Sequence, residues 1–598
     1  MREFSTPAAA SSGGRRSLTD DVVAHLRKDP HRVLLRRRND LADPTQWADV
    51  TAADFHLQVT AVAKGLLAAG VRAGETVAVL SRTRYEWTLF DYAIWWVGAV
   101  TVPVYESTPA EQVAYLLDDA SAVAVIVDSA AHHALVDSVA DRLPVMRQLW
   151  RIDEGAVQLL SDLGAQVADE ALETRRAGVT AAQLATIVYT SGTSGHPKGC
   201  ALTHGHFIAE LDSLVEALVD PLDRDDASTL LFLPLAHVFA RVVQVCCIRT
   251  GATLGHTADV GELNAALASF RPSFVLAVPQ SFERIHAAAS QQAAVDGRSR
   301  LFAAATTTAV AWSRAHETGR PGRTLRARHA FFERVVYRQL RADLGGRVRY
   351  GLCGGAPLSE RLGHFFRGIG VSVLEGYGLT EATGALTVNV PGLHKVGTVG
   401  RPLPGVTVRV ADDGELLFRG AQVFDGYLSD QATTSGVLID GWLHTGDLGE
   451  VDGEGFVRVT GRRNDVLVTA GGKSVAPALL EDRICAHPLV SHAIIVGDGA
   501  PYVAALVTLD TEAAAAWARR LGRPTDTAEL VDDPDLRDEI QTAVNAANTT
   551  VSAAESVRRF VVLTSQWTQA GGQLTPSLKL KRQQILADHH AEVAALYR

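Results

Sequence analysis

The sequence predicts an α/β protein: a large N-terminal domain of two doubly wound sheets with a β-barrel-like subdomain, followed by a small α+β domain. Three observations carry this expectation. Short apolar, β-branched runs such as Val77-Ala-Val-Leu80 and Val123-Ala-Val-Ile-Val127 alternate with helix-length segments, the rhythm of parallel strands covered on both faces. Beyond Gly400 the texture changes to short strands separated by turn signals, Asp412-Asp-Gly414 and Asp452-Gly453, as in antiparallel sheets. At 598 residues the chain is also too long for one hydrophobic core.

In chain order, residues 1 to about 50 read as a loosely structured lead-in with short strands. Helical patterns cover 59–69, 90–97 and 109–120, between the strands at 77–80 and 123–127. A strand at 185–189 enters the loop Thr190-Ser-Gly-Thr-Ser-Gly-His-Pro-Lys-Gly199, and a helix at 204–219 leaves it. Strands follow at 230–233 and 274–277, then a helix from Pro279. The segment 297–349 is rich in arginine, and Phe331, Phe332, Val335, Val336 and Leu340 sit at helical spacing within it, predicting an amphipathic basic helix. Such a helix either packs on its own domain with a solvated arginine face or meets anionic lipid or nucleotide phosphates. Strands at 405–410, 415–419 and 456–460 make the barrel-like subdomain, about 400–460. The charged run at 462–465 marks a boundary, giving domains 1–463 and 464–598. The second has helices at 476–485, 512–521 and 535–547, strands at 493–496, 503–507 and 560–563, and a basic helix from Lys579.

Composition narrows the function classes. With 47% hydrophobic and 21% charged residues the chain is an ordinary globular one, and a net charge of -10 argues against nucleic acid as the partner. Five scattered cysteines without a C-x-x-C pair suggest free thiols in a reducing compartment. No stretch of about 18 apolar residues suggests a membrane span, and the first residues have no apolar signal core, so a cytoplasmic protein is expected.

The loop at 190–199 has three glycines, four hydroxyl side chains and Lys198. Glycines let successive N–H groups converge on an anion, while the hydroxyls add donors and hard ligands and the lysine adds charge. That suits a polyphosphate. It is not the Walker loop, since Gly199 rather than Ser or Thr follows the lysine.

Seven further stretches occur in order: Leu233-Pro-Leu-Ala-His-Val-Phe-Ala-Arg241, Cys353-Gly-Gly-Ala-Pro-Leu358, Glu375-Gly-Tyr-Gly-Leu-Thr-Glu381, Trp442-Leu-His-Thr-Gly-Asp447, Gly461-Arg462, Ala470-Gly-Gly-Lys473 and Leu574-Thr-Pro-Ser-Leu-Lys-Leu-Lys-Arg582. With the loop, they resemble the fixed motifs of the adenylate-forming acyl-CoA synthetases, and most the long-chain fatty acid–CoA ligases of actinobacteria. The resemblance implies ATP, Mg²⁺ and coenzyme A as co-substrates or cofactors and a long-chain fatty acid as partner. It also implies two half-reactions, formation of acyl-AMP and transfer of the acyl group to coenzyme A.

Residue by residue, the resemblance implies that Thr190, Ser191, Gly192, Thr193, Ser194, Gly195 and Lys198 hold the β- and γ-phosphates. Thr190 and Glu381 would ligate the metal, whose hardness suits oxygen donors. His237 lies beside the acyl carboxylate in the family. Gly354, Gly355, Ala356, Glu375, Gly376, Tyr377 and Gly378 correspond to the adenine slot, with Thr380 at the α-phosphate. Asp447 accepts hydrogen bonds from the ribose hydroxyls and Arg462 lies near ribose and phosphate. Lys579 corresponds to the catalytic lysine, with Lys581 second. Gly471 and Gly472 would line the pantetheine tunnel after a mobile C-terminal domain rotates about Asn464, where the family often has Asp or Lys. Two other readings stand beside the ligase: a fatty acyl-AMP ligase that loads a carrier protein, and an inactive nucleotide-binding regulator.

Overall fold

The computed structural model describes residues 3–8, 14–38, 43, 45–190, 197–222, 224–259, 261–471, 473–553, 555–575 and 579–598. Two α/β sheets organise the large domain. In the first, the strands run in the order Gln148–Arg151, Ala122–Val127, Thr76–Leu80, Val100–Val104, Leu184–Thr190, Lys198–Thr203. All neighbours are parallel except the last two, which form an antiparallel hairpin. Every residue of the strands Thr76–Leu80, Val100–Val104 and Ala122–Val127 is buried, which is why they read as unbroken apolar runs rather than alternating ones. The second sheet orders Phe274–Ala277, Tyr350–Cys353, Ser372–Leu379, Gly384–Val388 and Arg401–Pro402, parallel for three strands and antiparallel thereafter.

Helices cover these sheets with faces set by local chemistry. Helix Ala52–Ala68 begins at a reciprocal capping box between Thr51 and Asp54, which satisfies two otherwise orphaned donors. Helix Tyr85–Trp96 is buried at every position but Glu86. One of its residues, Asp91, pairs with Arg241 at 2.5 Å, both at 0% side-chain exposure. The guanidinium also meets the Thr186 hydroxyl and lies between the rings of Trp87 and Trp95. Removing one partner from such a pair costs about 3–5 kcal/mol, because the other charge is left buried and alone. The pair ties the helix Tyr85–Trp96 to the helix Val238–Thr250, and the Thr186 contact adds the strand Leu184–Thr190.

The N-terminal segment has the short strands expected of it, Glu3–Ser5, Val33–Arg38 and Trp47–Thr51, but they are built into sheets rather than loosely structured. It contains a helix, Asp20–Lys28, and the strand Val33–Arg38, which joins a four-stranded sheet beside Thr253–His256. The strand Glu3–Ser5 pairs with Thr407–Val410, at the far end of the domain's sequence. No local pattern reveals such a partner. Together with Glu415–Arg419, Leu438–Ile439, Trp442–Val451 and Val457–Arg462 it builds the half-barrel sheet.

Residues from Leu467 onward have core clusters of their own, around a sheet of Val490–Val496, Val503–Leu509 and Val557–Leu563. Its last helices begin at Arg582 and His590. Lys579 therefore stands in the turn before a helix rather than inside one, a second correction. Arg582 pairs with Glu481 and donates to the Ile495 carbonyl at 2.7 Å. The arginine-rich segment is helical at Arg323–Phe332 and Arg338–Asp343, joined by a π-helical turn, Glu333–Tyr337. Among the described residues, no helix is long and apolar enough to cross a membrane.

Candidate active site

The hairpin of Leu184–Thr190 and Lys198–Thr203 aligns Thr190 with Lys198 across the strand pair, and the Thr190 hydroxyl points to the Lys198 carbonyl at 3.5 Å. Ser191, Gly192, Thr193, Ser194 and Gly195 lie outside the described residues. The Lys198 ammonium lies 5.6 Å from the centre of the Tyr427 ring, and the Tyr427 hydroxyl donates to Glu381 Oε1 at 2.7 Å. One ring thus touches both charged ends of the site. Motif reading missed Tyr427, because the signal is not local: Tyr427 reaches the hairpin through a bridge to Cys200.

Glu210 was also missed. It is fully buried on the helix His204–Ala217. Its Oε1 accepts the Ala385 N–H at 2.7 Å, close behind Glu381 in the chain. Burial pushes its carboxyl up to about 8, opposed by the Ala385 bond and the Gln422 side chain, so it is largely protonated at neutral pH.

Glu375 to Glu381 occupy the strand Ser372–Leu379 and the 3-10 turn after it. Gly378 is obligatory there: a Cβ would lie 1.6 Å from the Gly384 carbonyl oxygen across the hairpin. Gly354 faces Gly376 and the Phe239 ring, which a Cβ would meet at 3.3 and 3.4 Å, and Gly355 takes a φ of +87°. Ala356, exposed, follows in the same turn. Glu375 is buried; its Oε1 accepts the Leu358 N–H at 2.9 Å, so it shapes the Gly354–Leu358 turn from below. Burial pushes it up to about 8.

The half-barrel contributes Asp447 and Arg462, paired in register on adjacent strands. Asp447 is 4% exposed and both its oxygens are engaged. Oδ2 accepts from the Tyr377 hydroxyl at 2.6 Å, and Oδ1 is 3.1 Å from Arg462 Nε. A sugar hydroxyl arriving here meets a carboxylate already oriented from two sides.

His237 caps the helix Val238–Thr250, its Nδ1 accepting the Phe239 N–H at 3.2 Å. Burial first, and the charge of Lys579 second, pull its pKa down to about 4. The ring is neutral at pH 7, with Nε2 carrying the proton and free to donate. Thr380 opens the 3-10 turn and is half-buried.

Lys579 is anchored by its backbone, donating to Thr575 Oγ1 at 2.9 Å and accepting from Thr575 N at 2.8 Å. Its side chain keeps contact with solvent. Enclosure by protein lowers its pKa, as does Arg462, while Asp447 and Glu381 act the other way. The structure therefore gathers His237, Asp447, Arg462 and Glu381 within electrostatic reach of Lys579, from segments up to several hundred residues apart. Lys581 occupies the N-cap position of the following helix without a capping hydrogen bond from its side chain. Asn464 lies in a 3-10 turn, Arg463–Asp465, beside Arg463, which pairs with Glu415 and Asp413 at 3.2 and 3.3 Å; the Asn464 side chain lies outside the described residues. Gly471 is exposed, and Gly472 lies outside the description.

Comparisons with known proteins bear on the family and the fold. A family model described as AMP-binding enzyme matches residues 23–428, and one described as AMP-binding enzyme C-terminal domain matches 464–598. The long-chain-fatty-acid–CoA ligase FadD15 of Mycobacterium bovis is 44% identical over 602 residues, covering 100% of both chains. The anthranilate CoA ligase AuaEII in complex with anthranoyl-AMP superposes with a TM-score of 0.73 at 19% identity, covering 98% of this chain and 99% of that one. The A-PCP didomain of the carboxylic acid reductase of Segniliparus rugosus, in complex with AMP, gives 0.75 at 20% identity, covering 99% and 84%. At these identities the solved structures bear on the fold alone; the sequence matches decide the family. The chain belongs to the AMP-binding enzymes, as an acyl-CoA synthetase of the actinobacterial long-chain type.

Proposed function

We propose that the chain activates a long-chain fatty acid in two steps. The fatty-acid carboxylate attacks the α-phosphorus of ATP, forming the acyl–phosphate bond as the bond to pyrophosphate breaks. The thiol of coenzyme A then attacks the acyl carbon, giving the thioester, AMP and a released proton. The observation that carries this reading is the convergence of Lys579 with Arg462, Asp447 and Glu381. Negative charge grows on the phosphate oxygens during the first step, and a preorganised cation there lowers the barrier. Neutral His237 offers Nε2–H to the entering carboxylate and adds no positive charge of its own. Asp447 orients the ribose, and Lys198 faces the departing pyrophosphate.

Thr190 and Glu381 would hold Mg²⁺. The donor set fits: a hydroxyl and one carboxylate are hard oxygens, and so sparse a protein shell suits an ion that keeps water and phosphate ligands. When bound, Mg²⁺ supplies charge neutralisation at the β- and γ-phosphates. Lys579 must withdraw before coenzyme A enters, and rotation at Asn464 would carry it away while bringing Gly471 and Gly472 to the tunnel. The test is ATP-dependent AMP release with and without coenzyme A, across acids of six to twenty carbons. Stimulation by coenzyme A with long acids supports the ligase. Acyl-AMP that accumulates despite coenzyme A points to a carrier-protein acceptor, and ATP binding without turnover points to a regulator.

A second reading concerns where the substrate is met. Phe331 and Val335 are 54% and 45% exposed, one helical turn apart and flanked by exposed Arg323, Arg326, Arg334 and Arg338. Residues 297–342 carry ten arginines against two glutamates, although the whole chain is acidic. An apolar pair ringed by guanidinium groups fits an anionic bilayer surface. Co-sedimentation with phosphatidylglycerol vesicles that fails with phosphatidylcholine, and is lost in Phe331→Asp, supports it; equal recovery from both overturns it.

A further inference from the structure

We infer that Tyr427 is a positioning residue that sets the two halves of the nucleotide clamp together, orienting the Glu381 carboxylate with its hydroxyl and the Lys198 ammonium with its ring face. The inference rests on the ATP-Mg²⁺ reading above. Its geometry is specific. The hydroxyl takes only Oε1 of Glu381, and Oε2 has no hydrogen-bond partner among the described residues, so the carboxylate is held by one oxygen with the other left for a ligand. The Lys198 ammonium lies over the same ring, within cation–π range.

The ring itself is held by backbone on both sides. Tyr427 bridges to Cys200, Leu428 N–H donates to the Gly199 carbonyl at 2.7 Å, and Ala201 N–H donates to the Gly426 carbonyl at 3.2 Å. Its own N–H donates to the buried hydroxyl of Thr434 at 3.0 Å. Two residues before Gly426, the Phe424 N–H donates to the Glu381 carbonyl at 2.8 Å. The segment Phe424–Leu428 therefore stitches the exit strand of the phosphate loop to the turn that bears Glu381. A residue placed for packing alone would need neither contact.

The consequence is that Tyr427 governs how much Mg²⁺ the enzyme needs, not how fast the saturated enzyme turns over. In Tyr427→Phe the ring and its hold on Lys198 remain while the carboxylate is released. One net hydrogen bond corresponds to about a three- to tenfold change in an equilibrium constant. The expected result is that half-saturating Mg²⁺ rises about three- to tenfold, both in AMP release and in calorimetric binding of ATP titrated at several Mg²⁺ concentrations. The rate at saturating Mg²⁺ should stay within about twofold. Tyr427→Leu should in addition weaken ATP binding at saturating Mg²⁺. In a Glu381→Gln background, Tyr427→Phe should change calorimetric ATP affinity by less than about twofold. An unchanged Mg²⁺ requirement in Tyr427→Phe, or an undiminished effect in the Glu381→Gln background, overturns the role of Tyr427 while leaving the ligase reading intact. A parent enzyme whose ATP binding is insensitive to Mg²⁺ overturns both.

Discussion

The two sides of the active site are built differently. The side proposed for the ribose is a rigid lattice: Asp447 and Arg462 face each other across an antiparallel ladder, and Tyr377 closes on Asp447 from a third strand. The side proposed for catalysis is one lysine ahead of a helix, tied down by two hydrogen bonds to Thr575 and carried on a unit with its own core. Binding benefits from groups that do not move, whereas a cation needed in only one of two steps must be able to leave. The contrast shows where precision is stored and where motion is allowed.

The contrast can be broken at several points. Lys579→Ala should give the largest effect, slowing acyl-AMP formation about 10²–10³-fold. Thioester formation from supplied acyl-AMP should be nearly unchanged. Measuring pyrophosphate exchange beside thioester synthesis separates them, and equal loss in both would mean that the lysine is not confined to one step. Asp447→Ala attacks the rigid side. Loss of hydrogen bonds to a charged group is worth about 1.5–3 kcal/mol, so the KM for ATP should rise roughly ten- to a hundredfold with a smaller change in kcat. A fall in kcat alone would assign Asp447 to chemistry rather than binding.

The smallest effect tests the frame behind Glu381. Glu210 is raised from its ordinary value of 4.5 to about 8 by burial. Between those values the folded protein holds a proton that the unfolded chain has lost, so stability falls as pH rises through that window and then levels. Glu210→Gln keeps an acceptor for the Ala385 N–H and removes the titration. Its melting temperature should gain on the parent by about 1–3 °C between pH 5 and pH 9. Glu375, also raised to about 8, acts in both proteins and cancels in the difference. A constant offset across pH would show that Glu210 does not titrate there.

Much of this was legible in the chain because it is local. Continuous β-branched runs mark strands buried on both faces, and a motif such as Glu375–Glu381 needs its glycines where the hairpin closes to contact. The half-barrel strands could be read from their turns for the same reason. The helix Asp20–Lys28 escaped notice because its apolar positions are few among charged ones, and only packing against the rest of the domain makes it a stable element.

By itself, then, the sequence determined which segments become strands, where backbone must approach backbone, and which side chains carry charge and hydroxyls to the site. Those depend on steric and hydrophobic properties acting over a few residues. Tertiary structure alone decided that Glu3–Ser5 closes a sheet with Thr407–Val410. It alone brought Tyr427 to stand between Lys198 and Glu381, buried Glu210 behind them, and put Lys579 before a helix, within reach of Asp447. These are contacts between segments with no local signature for one another. Their energies come from burial and charge in the folded state, and neither exists until the chain has closed on itself.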